Sequence, residues 1–252
     1  MKTVSVIIPY YRKIKYIKKS IDSVLNQKFK NFEIIIVHDD PRNKDFDYLL
    51  ELKKNNNKIR LIKNKKNLGA GFSRNKGIKL AKSKYIAFLD SDDTWKKEKL
   101  KSQISFMKKN NLDFSFTSYD QIDSEGKKLK TVKVPKLQRY DDLLKDCRIG
   151  LSTVILKKKL INKKFKFSNL KTKEDLCLWL KLSKKYKLVG YNKNLSKWRK
   201  MKESLSSSTK QKILDGFRLY YKHEKFSITK SVFYLFLLSF NFLKKNYLRW
   251  IF

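Results

Sequence analysis

Residues 84–95 read Lys-Tyr-Ile-Ala-Phe-Leu-Asp-Ser-Asp-Asp-Thr-Trp, an apolar run that enters three carboxylates. Tyr85 to Leu89 has the length and composition of a buried parallel strand, and strand side chains alternate, so Asp90 and Asp92 project to one side. Two carboxylates so placed suit a hard divalent cation. Mg²⁺ or Mn²⁺ takes oxygen ligands, and a substrate's own phosphates commonly complete its shell. The same residues admit a second reading, a polar loop in which Asp93 or Thr94 caps the next helix and acidic residues face its dipole. The stretches on either side bear on the choice.

Upstream, residues 4–8 form a β-rich run ended by Pro9, and Ile14, Ile17, Ile21, Val24 and Leu25 then recur at helical spacing. Residues 32–37 make a second strand, Phe46, Leu49, Leu50 and Leu52 a second helix, and residues 59–62 a third strand. Gly69 and Gly71 open a third helix through Arg74 and Ile78, which leads into Tyr85. This alternation predicts a mostly parallel sheet with helices on both faces, whose ligand lies outside the carboxyl ends of the strands. Three of those ends are polar: residues 9–12, Asp39 with Asp40, and residues 90–93. The first turn, Pro-Tyr-Tyr-Arg, has no G-x-G-x-x-G, and no Walker P-loop follows elsewhere. A diphosphate at this sheet would therefore be neutralised by a metal rather than by a glycine cradle. A nucleotidyltransferase shares that logic but needs a glycine and arginine loop after the first strand, which this turn does not supply.

Taken together, the chain resembles a family 2 glycosyltransferase of the GT-A fold. The resemblance rests on Val-Ser-Val-Ile-Ile-Pro-Tyr-Tyr from residue 4, Phe-Glu-Ile-Ile-Ile-Val-His-Asp-Asp from residue 32 and Asn-Leu-Gly-Ala-Gly-Phe-Ser-Arg-Asn-Lys-Gly-Ile from residue 67. It continues through the stretch from Tyr85 and Glu-Asp-Leu-Cys-Leu-Trp-Leu from residue 174, in the family's order over residues 3–200. It implies an α/β architecture with a Rossmann-like central sheet and a C-terminal helical extension, divided into a transferase domain at 1–205 and an extension at 206–252. By the same resemblance Asp40 receives the donor's base, usually uracil, while Pro9 and Tyr11 border the nucleoside. Asp90 lies near the ribose, Asp90 and Asp92 are the metal pair with Asp92 on the ion, and Arg74 stands beside the donor. Asp175 is implied as the base that takes the proton of the acceptor hydroxyl, a role that supplies roughly 10²- to 10⁴-fold, with Glu174 in support. From the residues alone, Thr172 and Asp175 also form a near match to a capping box. His38 and Pro41 depart from the aspartate, glycine and serine run of relatives, which bears on base preference; His38 itself reads as an ordinary strand-end histidine.

Further on, Leu100, Ile104, Phe106 and Met107 predict a helix, and residues 113–119 a strand whose aromatics read as core rather than as a sugar platform. Residues 120–138 read as a polar hairpin or loop around Glu125 and Gly126. Residues 150–156 predict another strand, similar to the family segment lining the acceptor pocket, with Ser152 and Thr153 as candidates there. Residues 196–209 resemble a mobile loop that closes on the donor diphosphate, and a solvated linker is the other reading. After a helix at 211–225, residues 231–243 carry no charge and are flanked by Lys230, Lys244, Lys245, Arg249 and Trp250. That is short of the roughly 20 residues needed to span a bilayer. It reads as an interfacial or partner-packing helix, or as a plain buried one.

A length of 252 residues accommodates one main domain with an appendage, and 41% hydrophobic content argues for a packed core despite 34% charged residues. Cys147 and Cys177 are far apart and in no metal-type spacing, which points away from disulfides and zinc and towards a reducing compartment. The N-terminal apolar run enters a strand directly and is too short for a signal peptide, which predicts a cytoplasmic protein. The net charge of +39 is mostly lysine spread along the whole chain. It suits an anionic membrane surface, at roughly 1 kcal/mol per Lys or Arg near the lipid. No zinc-finger spacing, RNP-type strand or basic zipper supports a nucleic-acid partner. The expected activity is thus an inverting transfer, dependent on Mn²⁺ or Mg²⁺, from a nucleotide sugar, UDP-linked by the resemblance, to a hydroxyl of a glycan or lipid-linked acceptor. Its setting would be bacterial surface polysaccharide or lipooligosaccharide synthesis at the inner face of the cytoplasmic membrane. The competing class is a basic nucleic-acid- or membrane-binding protein whose carboxylates only cap helices.

Overall fold

The computed structural model describes residues 2–201 and 208–247, with side chains to residue 244. Its first half alternates strand and helix: β1 (Val4–Tyr10), α1 (Ile14–Leu25), β2 (Phe32–His38), α2 (Phe46–Lys54), β3 (Ile59–Lys63), α3 (Ala70–Leu80) and β4 (Tyr85–Phe88). These four strands are parallel in the order β3-β2-β1-β4. Period-two alternation splits each strand between two cores. Val4, Val6 and Ile8 join Ile17, Ile21 and Val24 of α1 on one face, while Ile7, Ile35 and Val37 face the other. α3 crosses β1 closely: a Cβ on Gly77 would stand 2.6 Å from Ile7 Cγ2, so only glycine fits there.

The second half comprises β5 (Thr94–Trp95), α4 (Lys99–Lys109), β6 (Phe114–Ile122), β7 (Lys128–Val132), β8 (Leu137–Gln138), α5 (Tyr140–Lys145), β9 (Ile155–Lys157), α6 (Glu174–Ser183), β10 (Leu188–Arg199), α7 (Thr209–Arg218) and α8 (Ile228–Tyr247). Here the sheet is mixed, because β9 inserts antiparallel between β4 and β6 while β10 lies parallel to β6. The mostly parallel expectation therefore describes the N-terminal half. The polar stretch after residue 120 is a hairpin of β6 and β7, closed by the Asp123 carboxylate accepting from the N–H groups of Glu125, Gly126 and Lys127.

Several local expectations are corrected. Residues 150–156 do not form one strand; Leu151–Thr153 is a 3₁₀ turn, and β9 starts at Ile155. The turn is drawn sideways, since the Ser152 carbonyl accepts from Trp95 Nε1 and the Thr153 carbonyl from the buried Lys99 Nζ. Asp93 and Thr94 cap no helix, because β5 intervenes and α4 starts at Lys99. Residues 196–199, expected in a mobile loop, are the end of β10, while 202–207 lie outside the described residues. The 206–252 segment is tied to the core as far as it is described. Leu219 and Tyr220 are fully buried, and Tyr220 Oη donates to the Leu144 carbonyl at 2.6 Å. Among the described residues no helix is long and apolar enough to cross a membrane.

Candidate active site

At the end of β2 the two neighbouring aspartates have separate tasks. Asp39 is buried and accepts from the N–H groups of Leu68 and Gly69 and from Asn64 Nδ2, each at 2.8 Å, which fixes the loop into α3. Gly69 meets that loop at a left-handed φ of 83°. Asp40 instead accepts from Arg12 Nε at 2.7 Å and from the Arg42 N–H. The Arg12 guanidinium holds the Asp40 carboxyl below the usual carboxylate range and covers it from solvent. Pro9 lies within β1 opposite Val37, and Tyr11 follows with the Arg12 guanidinium 4.5 Å from its ring. His38 is buried between the rings of Tyr10 and Phe46, and burial lowers its pKa. It is a neutral core residue.

Arg74 joins the strand ends to α6. It is buried on α3, with one terminal nitrogen donating to Asp90 Oδ1 and the other to Glu174 Oε1, each at 2.7 Å. Burial opposes its charge, but the two carboxylates prevail and keep the guanidinium protonated. Burial raises Glu174 to about 7, against the pull of Arg74 and with the charge of Asp175 adding to the rise. Asp175 is raised as well, by burial, although the Leu176 N–H donates to its Oδ1 at 2.7 Å. The capping box read from Thr172 and Asp175 does not form. Lys173, at φ 67°, is the residue before the helix, and Thr172 turns to Asp215 instead.

Beside this hub lie two more carboxylates. Asp92 is raised by burial and then by the charge of Asp90, with Lys13 Nζ 3.2 Å away as its counter-ion. Asp93 is buried, accepts from Ser152 Oγ at 2.6 Å and from the Arg199 N–H at 2.8 Å, and is pushed well up by burial and by its two acidic neighbours. Arg199 completes the frame by donating to the carbonyls of Asp92, Asp123 and Ser124. The sequence reading did not single out Arg199, Lys13 or Asp215; for Arg199 the only signal was its place in the 196–209 segment that resembles a loop closing on the donor diphosphate. Among the described residues no three His, Cys, Asp or Glu side chains gather as a metal cluster. The pair Asp90 and Asp92 nevertheless fits a divalent cation that takes further oxygens from a diphosphate: Arg74 holds one oxygen of Asp90, while Asp92 is crowded by Asp90 and has Lys13 as its counter-ion, a charge that such an ion relieves.

Residues 5–167 match the family model described as Glycosyl transferase family 2. The chain belongs to that family. Among family 2 relatives, an uncharacterized glycosyltransferase of Rickettsia bellii is 40% identical over 198 residues, which are 78% of this chain but 28% of that protein. The Escherichia coli UDP-Glc:alpha-D-GlcNAc-diphosphoundecaprenol beta-1,3-glucosyltransferase WfgD is 38% identical over 207 residues, 81% of this chain and 80% of its own. Among solved structures, S. aureus TarS 1-349 in complex with UDP-GlcNAc superposes with a TM-score of 0.72 at 21% identity, covering 98% of this chain and 74% of that one. That likeness shows the fold: a GT-A-type mixed α/β architecture with the carboxylate stretch at the end of β4.

Proposed function

We propose that the chain is an inverting glycosyltransferase that moves a sugar from a UDP-linked donor to a hydroxyl of a lipid-linked glycan. The observation that carries this reading is Arg74, whose fork ties the β4 carboxylate Asp90 to Glu174 at the start of α6. Donor-side and acceptor-side carboxylates are thereby parts of one charge network. Asp175 takes the proton of the acceptor hydroxyl; its raised pKa suits a base that must hold that proton as the new bond forms. Glu174 and Arg74 set the charge around it, and the Leu176 N–H holds one of its oxygens. Asp40 receives the base once Arg12 moves aside, and Pro9 and Tyr11 border the nucleoside. A divalent cation, Mn²⁺ or Mg²⁺, held by Asp92 and Asp90 would supply positive charge to the departing diphosphate. Displacement in a single step at the anomeric carbon inverts it.

The acceptor class is supported by WfgD, whose name specifies a diphosphoundecaprenol-linked sugar. An acceptor of that kind is presented at a membrane surface, the inner face of the cytoplasmic membrane in a bacterium that makes surface polysaccharide. Residues 1–205 form the transferase domain in this reading and 206–252 its helical extension. The test is transfer from UDP-sugars to a lipid-linked N-acetylglucosamine acceptor, with donor binding followed by calorimetry. Asp175→Asn is expected to bind donor normally and to transfer nothing; full transfer by that variant would overturn the assignment.

A further inference from the structure

α8 has two apolar faces, and the fold uses one. At about 100° per residue, Ser231, Leu235 and Leu238 fall on one side. Ser231 and Leu238 are buried there, Leu235 packs on the core, and Asn241 Nδ2 donates to the Lys145 carbonyl. A Cβ on Gly216 of α7 would stand 2.6 Å from Leu235 Cδ1, so this side is seated tightly. Ile228, Val232, Phe233, Phe236, Phe240 and Leu243 occupy the opposite arc, which spans roughly 140° of the helix. All six are 46% to 64% exposed. A largely apolar arc of this kind, interrupted between Ile228 and Leu243 only by the hydroxyls of Thr229 and Ser239, marks an interaction surface on a water-facing helix.

Charge narrows the occupant. Residues 225–252 contain Lys225, Lys230, Lys244, Lys245 and Arg249 and no Asp or Glu. By helical position Lys244 lies just beyond the edge of the exposed arc and Lys230 about 60° beyond it. A second copy of a chain with a net charge of +39 would bring like charge to this face. An anionic lipid surface would bring the opposite charge, together with an apolar layer deep enough to receive phenylalanine rings.

We propose that the outer face of α8 docks on an anionic lipid bilayer, the helix lying in the interface with Phe233, Phe236 and Phe240 among the lipid chains and Lys230 and Lys244 at the headgroups. The inference rests on the proposed function only for why the chain meets a membrane, because docking needs no turnover. The other contact of this helix pair gives docking a consequence: Asp215 of α7 holds Thr172, three residues before Asp175. A docked α8 is therefore linked through α7 to the segment that carries Asp175.

The test is flotation of the full chain with vesicles of phosphatidylglycerol and phosphatidylethanolamine, and with phosphatidylcholine alone. Binding is expected to the first and not to the second. The pair Phe236→Glu and Phe240→Glu should lower binding at least tenfold at an unchanged melting temperature, and the milder Phe236→Ser and Phe240→Ser pair should lower it by less. Lys230→Gln with Lys244→Gln should weaken it by roughly fivefold per charge. Wild type that does not float, or glutamate variants that float equally well, would overturn the proposal. So would a concentration-dependent dimer that the glutamate pair abolishes, since that assigns the face to a second copy. Transfer to a soluble acceptor is read separately: its absence counts against the proposed activity, while flotation alone decides the docking surface.

Discussion

Asp215 Oδ2 accepts both the N–H of Thr172, at 2.9 Å, and its hydroxyl, at 3.1 Å. A fully buried carboxylate on α7 thus fixes the backbone that leads through left-handed Lys173 into Glu174 and Asp175. α6 has no side-chain cap of its own, so this contact takes over the job of setting where the helix begins.

The first prediction follows from that contact. Asp215→Ala leaves two buried donors unpaired, at a cost of about 1–3 kcal/mol, or a melting temperature lower by several degrees at roughly 2–4 °C per kcal/mol for a chain of this size. Because the displaced segment carries the base, kcat should fall more than KM for the donor rises. Asp215→Asn keeps one acceptor oxygen and should recover part of both. Thermal melts with steady-state kinetics check this, and an unchanged kcat would confine Asp215 to a folding role.

Arg74 offers a second. Lysine keeps the charge but cannot present two nitrogens to two carboxylates in a fixed fork. Arg74→Lys is expected to fold and to lose at least tenfold in kcat/KM. Arg74→Ala leaves Asp90 and the buried Glu174 without their cation and should lose about 3–5 kcal/mol of stability. Urea titration beside transfer assays separates the two effects.

The alternation of strands and helices was legible because period-two and period-3.6 patterns are local, and Asp90 and Asp92 stood out because they follow such an element, whereas Asp175 was implied by the family resemblance. Contacts that join distant segments leave no local pattern. Asp93 reads as a helix cap in sequence, yet its partners Ser152 and Arg199 lie 59 and 106 residues away. The same distance concealed Arg199 as the clasp over the Asp92 carbonyl, and Asp215 as the anchor of Thr172. The antiparallel insertion of β9 was hidden for a related reason, since strand direction depends on the path of the chain and not on its composition.

A third prediction concerns pH. Burial lifts Glu174 to about 7 in the folded state, above the ordinary value near 4.3 for a glutamate. The folded state therefore holds this proton more tightly than the unfolded chain does. Its contribution to stability is complete below the unfolded value and is lost as pH rises through about 7. Glu174→Gln should flatten that part of the melting temperature profile between pH 4 and 8. Asp175 is raised in the same direction, so the acid limb of kcat/KM should lie above the usual aspartate range. An acid limb at an unperturbed carboxylate value would argue against Asp175 as the base.

The last prediction separates two adjacent aspartates by the surroundings of each. Asp92 is crowded by Asp90, and its nearest cation is Lys13 Nζ at 3.2 Å, a contact that a metal ion can take over. Asp93 faces inward, and both its oxygens are committed to the Ser152 hydroxyl and the Arg199 N–H. Asp92→Asn should therefore melt close to wild type while Mn²⁺ affinity falls by at least tenfold by calorimetry, with transfer lost alongside. Asp93→Ala should do the reverse. Two buried donors without an acceptor cost about 1–3 kcal/mol, and the β4 end, the 3₁₀ turn and β10 lose the residue that joins them. EDTA should silence wild-type transfer and Mn²⁺ or Mg²⁺ restore it. Metal affinity that drops for Asp93→Ala and persists in Asp92→Asn would move the ion to the inner carboxylate, and Arg199 would then have to release Asp93 for the ion to enter.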